Sequence, residues 1–170
     1  IVHFYIPSTV HLYLIIYMDK KIIIIYASMH HENTYKLVKA ISDKYKVEMI
    51  DATKHTDVNL QEYDVIGFAS GIDFGKFYEA IENFAKVNLP NKKQVFFLYT
   101  CAMERKGFTD SMKEIAMERE ATILGEYGCK GYNTYGPWKL IGGMNKNHPN
   151  ECEIMSAVKF PAIKAQRCFA

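Results

Sequence analysis

The fold is decided by the stretch Lys21–Ile41, which reads KIIIIYASMHHENTYKLVKAI. Its first part is an unbroken run of β-branched residues, which is typical of a strand buried on both faces of a sheet. A short polar loop follows, and beyond it apolar side chains recur at helical spacing. The stretch therefore predicts a buried strand, a loop and an amphipathic helix, which is the first unit of an open α/β sheet.

The loop between this strand and helix is a candidate anion site. Ser28, Asn33 and Thr34 place hydroxyl and amide groups where the helix begins. Backbone N–H groups at a helix N-terminus point outward, with the positive end of the helix dipole behind them, and such a turn commonly holds a phosphate. The alternative is that Asn33 or Thr34 only caps the helix. The loop alone leaves both interpretations open.

Composition is that of an ordinary globular domain. With 170 residues, 49% of them apolar and 24% charged, the chain can bury a sizeable core without disulfides or a structural metal. The net charge is +2, and no basic stripe with interleaved aromatic residues is present, so we expect no nucleic-acid partner. The cysteines show no C-x-x-C pair or ligand spacing, which argues against a metal site and favours a reduced, cytoplasmic setting. They are Cys101, Cys129, Cys152 and Cys168.

The first seventeen residues differ from the rest of the chain. Residues 1–17 are apolar and aromatic, but they lack the basic region and the cleavage site of a signal peptide, and they are short for a membrane span. Met18 stands directly before the charged residues that precede the first strand. We expect residues 1–17 to be upstream sequence outside the folded unit and residues 18–165 to form a single domain. A weak membrane-associating extension is the alternative.

Four further strand patterns alternate with helical patterns along the chain. The strands are predicted at Lys46–Ile50, Tyr63–Ala69, Gln94–Thr100 and Ala121–Tyr127. The helices are predicted with Phe77, Ile81 and Phe84 on one face, then at about 109–120, and from Cys152 to about Ala162, where Pro161 should end the helix. Because crossovers between parallel strands are right-handed, this alternation predicts a three-layer, doubly wound α/β fold. We expect a five-stranded parallel sheet of order 2-1-3-4-5.

Three loops should then meet at the carboxyl edge of the sheet, where ligands bind in such folds. They are the segments 27–34, 70–75 and 100–102. Gly71 and Gly75 permit a tight turn or a close approach of the backbone to a ligand. Ile72 and Phe74 are apolar where loops are usually polar, so they either cover the core or form the wall of a pocket for a flat aromatic ligand.

These loops carry a resemblance to a known family. The run Tyr26–Thr34 resembles the phosphate loop of the flavodoxin family and ends in the same Asn-Thr before the first helix, while residues 70–75 and 100–102 stand where that family has its second and third flavin loops. The resemblance implies a noncovalently bound FMN, with the phosphate on the first loop and the isoalloxazine between the other two. The residues that it assigns to the cofactor are Ser28, Met29, His30, His31, Asn33, Thr34, Ser70, Gly71, Ile72, Phe74, Gly75, Thr100, Cys101, Ala102 and Tyr132.

The chain departs from the family pattern at one point of the first loop. The family usually has Thr-Gly before Asn-Thr, and this chain has His31-Glu32, so the loop contains no glycine. An imidazole is a hydrogen-bond donor, and we expect His30 or His31 to contact the phosphate in place of the missing hydroxyl. A carboxylate near a phosphate is unfavourable, and we expect Glu32 to face solvent or to serve the helix N-terminus.

The resemblance implies an electron-transfer protein that carries electrons between redox partner proteins. No acid/base pair is evident, so we expect no catalytic residue. One alternative is an FMN-dependent oxidoreductase of the same fold, an NAD(P)H:quinone-type or small-acceptor reductase. The long segment Gly128–Asn147 favours that alternative, since its aromatic residues Tyr132, Tyr135 and Trp138 could close a substrate pocket. The other alternative is a flavin-free interaction domain.

Overall fold

The computed structural model describes residues 20–167, so the expectation for residues 1–17 lies outside the described part of the chain. Strands and helices alternate, except that three strands follow one another between Glu48 and Phe77. The strands are β1 (Ile22–Ala27), β2 (Glu48–Asp51), β3 (Val65–Asp73), β4 (Lys76–Phe77), β5 (Gln94–Cys101) and β6 (Thr122–Lys130). The α-helices are α1 (Asn33–Tyr45), α2 (Glu79–Asn88), α3 (Asp110–Glu118) and α4 (Glu151–Arg167), and a 3₁₀ helix spans Gly136–Ile141.

The main sheet is parallel, with the strand order β2-β1-β3-β5-β6. This confirms the predicted doubly wound α/β fold, because the five parallel strands, counted along the chain, lie in the order 2-1-3-4-5. β1 is an inner strand and pairs with β2 on one side and β3 on the other. The order of the strands reverses between β1 and β3, and that switch point places the loops after both strands side by side.

The core lies on both faces of the sheet. Ile24 of β1 points to a cluster shared with Leu37 and Val38 of α1 and with α4. Ile23 and Ile25, on either side of it, point to the opposite cluster, which includes residues of α2 and α3. All three isoleucines are fully buried, and burial of each such side chain contributes about 1.5–3 kcal/mol. The continuous isoleucine run is therefore explained by a strand with helices on both sides.

The second predicted loop is largely strand. β3 continues to Asp73 and turns back through Phe74 and Gly75 into β4, which pairs antiparallel with it. The assignment of Ser70–Gly75 as a plain loop is therefore wrong, and Phe77 lies in β4 rather than in the following helix. The cause is a short-range pairing of Ile72 with Phe77 that buries Phe77 in the core.

The C-terminal third of the chain also differs from the prediction in two places. Pro161 lies inside α4, which continues to Arg167, because proline removes only one helical N–H donor and Ala157 and Val158 anchor the preceding turns in the core. The segment Gly128–Asn147 is not irregular throughout. Its first three residues belong to β6, and it also contains the 3₁₀ helix and a bridge between Asn133 and Met144.

The two longest helices begin in different ways. α4 follows a capping box, in which the N–H of Glu153 donates to Asn150 Oδ1 at 2.9 Å and the N–H of Asn150 donates to Glu153 Oε2 at 2.7 Å. α1 has Glu32 at its N-cap position, in a left-handed conformation, and no side-chain cap bond there. Asn33 and Thr34 are inside the helix, so neither caps it.

Candidate functional site

A cavity of about 330 Å³ lies at the carboxyl edge of the parallel sheet. Residues of all three predicted loops line it, together with the segment that follows β6. The lining residues are Ser28, Met29, His30, Asn33, Thr34, Gly71, Ile72, Asp73, Phe74, Tyr78, Thr100, Cys101, Ala102, Gly131, Tyr132, Asn133 and Tyr135. Twelve of the fifteen residues that sequence assigned to a cofactor are therefore brought together. The exceptions are His31, Ser70 and Gly75.

A second concavity, of about 520 Å³, lies at the opposite edge of the sheet. Its walls come from the segments 58–61 and 87–91, which precede β3 and β5, and from Arg119. Parallel α/β sheets bind their ligands beyond the carboxyl ends of the strands, whereas the segments that line this concavity lead into the amino ends of β3 and β5. We therefore take the smaller cavity as the functional site.

The loop after β1 presents free backbone N–H groups at the start of α1. Ser28 Oγ accepts the N–H of Tyr35 at 3.2 Å, which satisfies one donor of the first helical turn. Within residues 20–167, the N–H groups of His30, His31 and Glu32 have no protein acceptor. His31 and Glu32 both have positive φ, 52° and 54°. Free N–H groups at the positive end of a 13-residue helix form a seat for an anion.

The two histidines of this loop lie in different environments. His30 is exposed and lines the cavity. His31 is turned to the segment after β6, where its Nε2 is 2.8 Å from Thr134 Oγ1 and its ring lies 4.2 Å from the ring of Tyr132. Glu32 is exposed and is not part of the cavity wall. Of the two imidazoles, that of His30 is therefore the one available to a ligand.

Asn33 joins the loop to the segment after β6. Its buried amide donates from Nδ2 to the carbonyl oxygen of Tyr132 at 2.8 Å, and its Oδ1 accepts the N–H of Tyr132 at 3.2 Å. Both ends of the amide are thus engaged by the main chain. In this structure Asn33 fixes the relative position of two walls of the cavity, which lie 99 residues apart in sequence.

Two buried hydroxyls meet at the floor of the cavity. Thr34 Oγ1 of α1 and Thr100 Oγ1 of β5 are 2.9 Å apart, and either can be the donor. A bond between two hydroxyls uses one of their two protons. The other proton has no acceptor among the described residues and is available to a ligand, because both threonines line the cavity.

The hairpin β3-β4 forms one side of the cavity mouth. Phe74 and Gly75 are its two turn residues, with φ of 46° and 86°, the combination of a type I′ turn. Phe74 is 89% exposed, so it does not cover the core. Ile72 does, since it packs against the cluster on the α2 and α3 face and also lines the cavity.

Beneath the hairpin, Ser70 and Gly71 have structural roles. Ser70 is fully buried, and its Oγ accepts the N–H of Tyr78 at 2.9 Å and donates to the carbonyl oxygen of Gly71 at 2.7 Å. Gly71 lies within β3, where a Cβ atom would come within 2.4 Å of the hydroxyl of Tyr78. Gly71 is thus required for a close approach and not for a turn.

Tyr78 is the principal residue that sequence reasoning missed. Its hydroxyl lies at the cavity, and burial, followed by the nearby charge of Asp73, raises the pKa of its phenol to about 12. Asp73, Gly131, Asn133 and Tyr135 also line the cavity and were not assigned to it. Tyr135 was considered only for a substrate pocket, and Trp138, considered with it, does not line the cavity. The aromatic content of the segment after β6 was the available signal for these residues.

The loop after β5 contributes a thiol that stays protonated. Cys101 is buried, and burial is the main cause that raises its pKa to about 11. Its Sγ lies 3.6 Å from the carbonyl oxygen of Cys129. Ala102 is held by Asn145, whose Nδ2 donates to the Ala102 carbonyl at 2.7 Å. The thiol is therefore neutral at physiological pH, and this side of the cavity is fixed by the segment after β6.

Two negative findings apply to residues 20–167. No group of three or more His, Cys, Asp or Glu side chains is arranged to hold a metal ion. In the same range, no helix is both long enough and apolar enough to cross a membrane.

Comparison with known proteins places the chain in a family. The model of the flavodoxin domain matches residues 23–130, which is more than half of the chain. An uncharacterised protein of Methanocaldococcus jannaschii is 42% identical over 146 residues, covering 82% of this chain and 95% of its own length.

Solved structures show the same fold at low identity. A flavodoxin from Streptococcus pneumonia TIGR4 superposes with a TM-score of 0.61 at 16% identity, covering 86% of this chain and 98% of its own. A flavodoxin from the domain Archaea has a TM-score of 0.58 at 14% identity and covers 88% of this chain and 99% of its own. A flavoprotein in complex with FMN from Lactobacillus acidophilus NCFM has a TM-score of 0.53 at 17% identity, covering 65% and 93%. The chain belongs to the flavodoxin domain family.

Proposed function

We propose that the protein binds FMN noncovalently and carries electrons between redox partner proteins in the cytoplasm. The observation that carries the proposal is the convergence of three strand-end loops on one cavity, with free N–H donors at one end and apolar and aromatic walls at the other. Membership of the flavodoxin domain family and an FMN complex among its structural neighbours support the choice of flavin.

The donors at the α1 end of the cavity fit a phosphate. The N–H groups of His30, His31 and Glu32 are free, and the hydroxyl proton of Ser28 has no acceptor within residues 20–167. The imidazole of His30 is close enough to line the same wall. Together with the α1 dipole, these groups would hold the dianionic end of FMN. The remaining proton of the Thr34–Thr100 pair would add a further donor.

The opposite end fits a flat aromatic ring. Phe74 is the exposed tip of the β3-β4 hairpin, and Ile72 and Cys101 add apolar surface. These residues would hold the isoalloxazine and exclude water from its faces, while the mouth of the cavity leaves an edge open to a partner. When bound, FMN supplies one- and two-electron redox chemistry; the chain's part is binding, orientation and electrostatics.

The test is direct. The purified protein should be yellow, and denaturation should release FMN, identified by its absorption spectrum and by mass spectrometry. Apoprotein should quench the fluorescence of added FMN with one-to-one stoichiometry. A protein that carries no flavin and quenches none would contradict the proposal and would favour a flavin-free interaction domain.

A reductase acting on a quinone or another small acceptor is the second candidate. Tyr132 and Tyr135 line the cavity from the segment after β6, so an acceptor entering there would meet aromatic side chains. Steady-state assays with NAD(P)H and a quinone separate the two functions. A carrier turns over only when a separate reductase is added, whereas a reductase turns over with the flavin-loaded protein alone.

A further inference from the structure

Tyr78 is a buried phenol that the protein leaves without a partner. Its side chain is 7% exposed, and within residues 20–167 its hydroxyl makes no hydrogen bond. The other buried phenol of the described residues is satisfied, since Tyr63 donates to Glu48 Oε2 at 2.7 Å. A phenol hydroxyl without a protein partner takes a water or a ligand as its acceptor.

The hydroxyl of Tyr78 is reached from the cavity. Every fully enclosed side-chain oxygen and nitrogen among the described residues has a partner, so an unpaired hydroxyl is not fully enclosed. It lies 2.4 Å from the position that a Cβ atom of Gly71 would take, and both residues line the cavity. Gly71 is the register partner of Thr100, whose hydroxyl contacts Thr34. The phenol therefore stands over the ends of the central strands, beside the floor of the cavity.

The charges at the two ends of the cavity differ. Asp73 lines the cavity, and its negative charge contributes to the raised pKa of Tyr78, so the carboxylate acts on the phenol at this end. A phosphate placed here would be repelled by Asp73. The free N–H groups and His30 lie at the α1 end instead. A ligand with one anionic end would therefore bind with that end at α1. Its neutral part would then lie next to Tyr78.

We propose that Tyr78 donates its O–H to a neutral acceptor on the flavin beyond the phosphate, on the ribityl chain or the ring, and so fixes the orientation of the cofactor. The inference rests on the proposed function. With a pKa of about 12, the phenol remains a donor throughout the physiological range. Gly71 is then the residue that makes room for the hydroxyl at the strand end.

The experiment compares Tyr78→Phe with Tyr63→Phe, the same substitution at a buried phenol that has a protein partner and lies outside the cavity. Binding of FMN and of riboflavin, which lacks the phosphate, is measured on apoprotein by quenching of flavin fluorescence, and stability of the apoprotein by urea unfolding. We expect Tyr78→Phe to weaken both ligands by the same factor, roughly two- to tenfold, and to leave the unfolding midpoint unchanged or raised. We expect Tyr63→Phe to lower the midpoint and leave both affinities unchanged.

Two results for Tyr78→Phe would overturn the inference while leaving the proposed function intact. They are unchanged flavin affinities, whatever the unfolding midpoint, and a loss of affinity for FMN but not for riboflavin. Wild-type protein that binds neither flavin would instead overturn the proposed function, and this inference with it.

Discussion

At the start of α1, Glu32 adopts a left-handed conformation with φ of 54°, which is strained for a residue with a Cβ atom. The flavodoxin pattern has glycine at this place in the loop, and glycine adopts positive φ without a steric penalty. The left-handed turn at His31 and Glu32 leaves their N–H groups without protein acceptors. The loop thus adopts a left-handed turn with outward N–H groups although it contains no glycine.

Two substitutions of Glu32 separate the effect of its backbone strain on stability from the effect of its negative charge. We expect Glu32→Gly to raise the free energy of unfolding by about 1 kcal/mol, because the left-handed strain is relieved. We expect Glu32→Gln to leave that strain and to lower stability slightly, because the favourable carboxylate–dipole interaction is lost. Both variants should bind FMN more tightly than wild type at low salt, since a negative charge near the phosphate is removed. Urea unfolding and FMN titration at two salt concentrations measure these effects; equal stabilities of the two variants would contradict the strain argument.

Alanine substitutions of His30 and His31 allow a matched comparison. His30 is expected to contact the ligand, whereas His31 holds the loop to the segment after β6. His30→Ala should weaken FMN binding several-fold without affecting riboflavin binding or stability, since His30 lines the anion end of the cavity and its imidazole makes no hydrogen bond within residues 20–167. His31→Ala should lower the free energy of unfolding by about 1 kcal/mol, because it loses the Thr134 bond and the Tyr132 ring contact. Fluorescence titration and urea unfolding measure both. An equal loss of FMN and riboflavin binding in His30→Ala would contradict the phosphate role.

At the scale of elements, the β3-β4 hairpin has features that the stability of the fold does not explain. Its type I′ turn favours asparagine and glycine, yet the first turn residue is Phe74, which is 89% exposed. Lys76 anchors the hairpin through a 3.3 Å ion pair with the buried carboxylate of Glu82, which also accepts a bond from Ser111. A bulky apolar side chain in a strained conformation at the tip of an anchored hairpin is expected to serve a ligand.

Phe74→Asn tests this element. Asparagine suits the left-handed position, so we expect the unfolding free energy to rise by about 0.5–1 kcal/mol. The apolar wall is lost, so FMN and riboflavin should both bind several-fold more weakly. Gly75→Ala, with φ of 86° at the second turn position, should instead destabilise the protein by about 1 kcal/mol or more. Urea unfolding and flavin titration distinguish these outcomes, and unchanged flavin binding in Phe74→Asn would exclude the hairpin tip as a wall of the site.

At the scale of the whole molecule, the strand order and the two layers of helices leave the carboxyl edge of the sheet as the place where side chains able to bind a ligand lie together. The two core clusters lie on opposite faces of the sheet, and the cavity lies between them at the strand ends. Cys101 and Cys129 stand at that edge, on adjacent strands β5 and β6, and both are buried. Burial raises the pKa of Cys101 to about 11 and that of Cys129 to about 12, from an ordinary value of 9.0.

These thiols make stability depend on pH in the alkaline range. A group whose pKa is higher in the folded than in the unfolded state binds its proton more tightly when folded, and this stabilises the folded protein. The two thiols therefore make their full contribution to the free energy of unfolding below pH 9, and that contribution is lost as the pH rises towards 11 and 12. We expect the urea midpoint of wild type to fall above pH 9. A Cys101→Ala, Cys129→Ala variant should show a shallower fall, relative to its own value at pH 8. Cys152→Ser, at an exposed site, is the control and should follow wild type.

Much of the fold could be predicted because the decisive signals are local. The isoleucine run of β1 must be buried on both faces, and strand patterns separated by helical patterns leave few topologies when crossovers are right-handed. The hairpin after β3 was missed because a two-residue strand carries no periodic pattern, and Phe77 fits a helix as well as a strand. Pro161 was misjudged because a proline penalty acts locally, whereas the packing that holds α4 is tertiary.

The sequence by itself determined the α/β class and which segments reach the carboxyl edge of the sheet, because apolar periodicity and connection handedness depend on neighbours along the chain. Tertiary structure alone decided how those segments are used. It turned His31 to Thr134 and left His30 at the cavity, joined Asn33 to Tyr132 across 99 residues, and placed the unpaired phenol of Tyr78 over Gly71. These are contacts between segments distant in sequence, and no local pattern specifies which hydroxyl or amide is satisfied by the protein and which remains for a ligand.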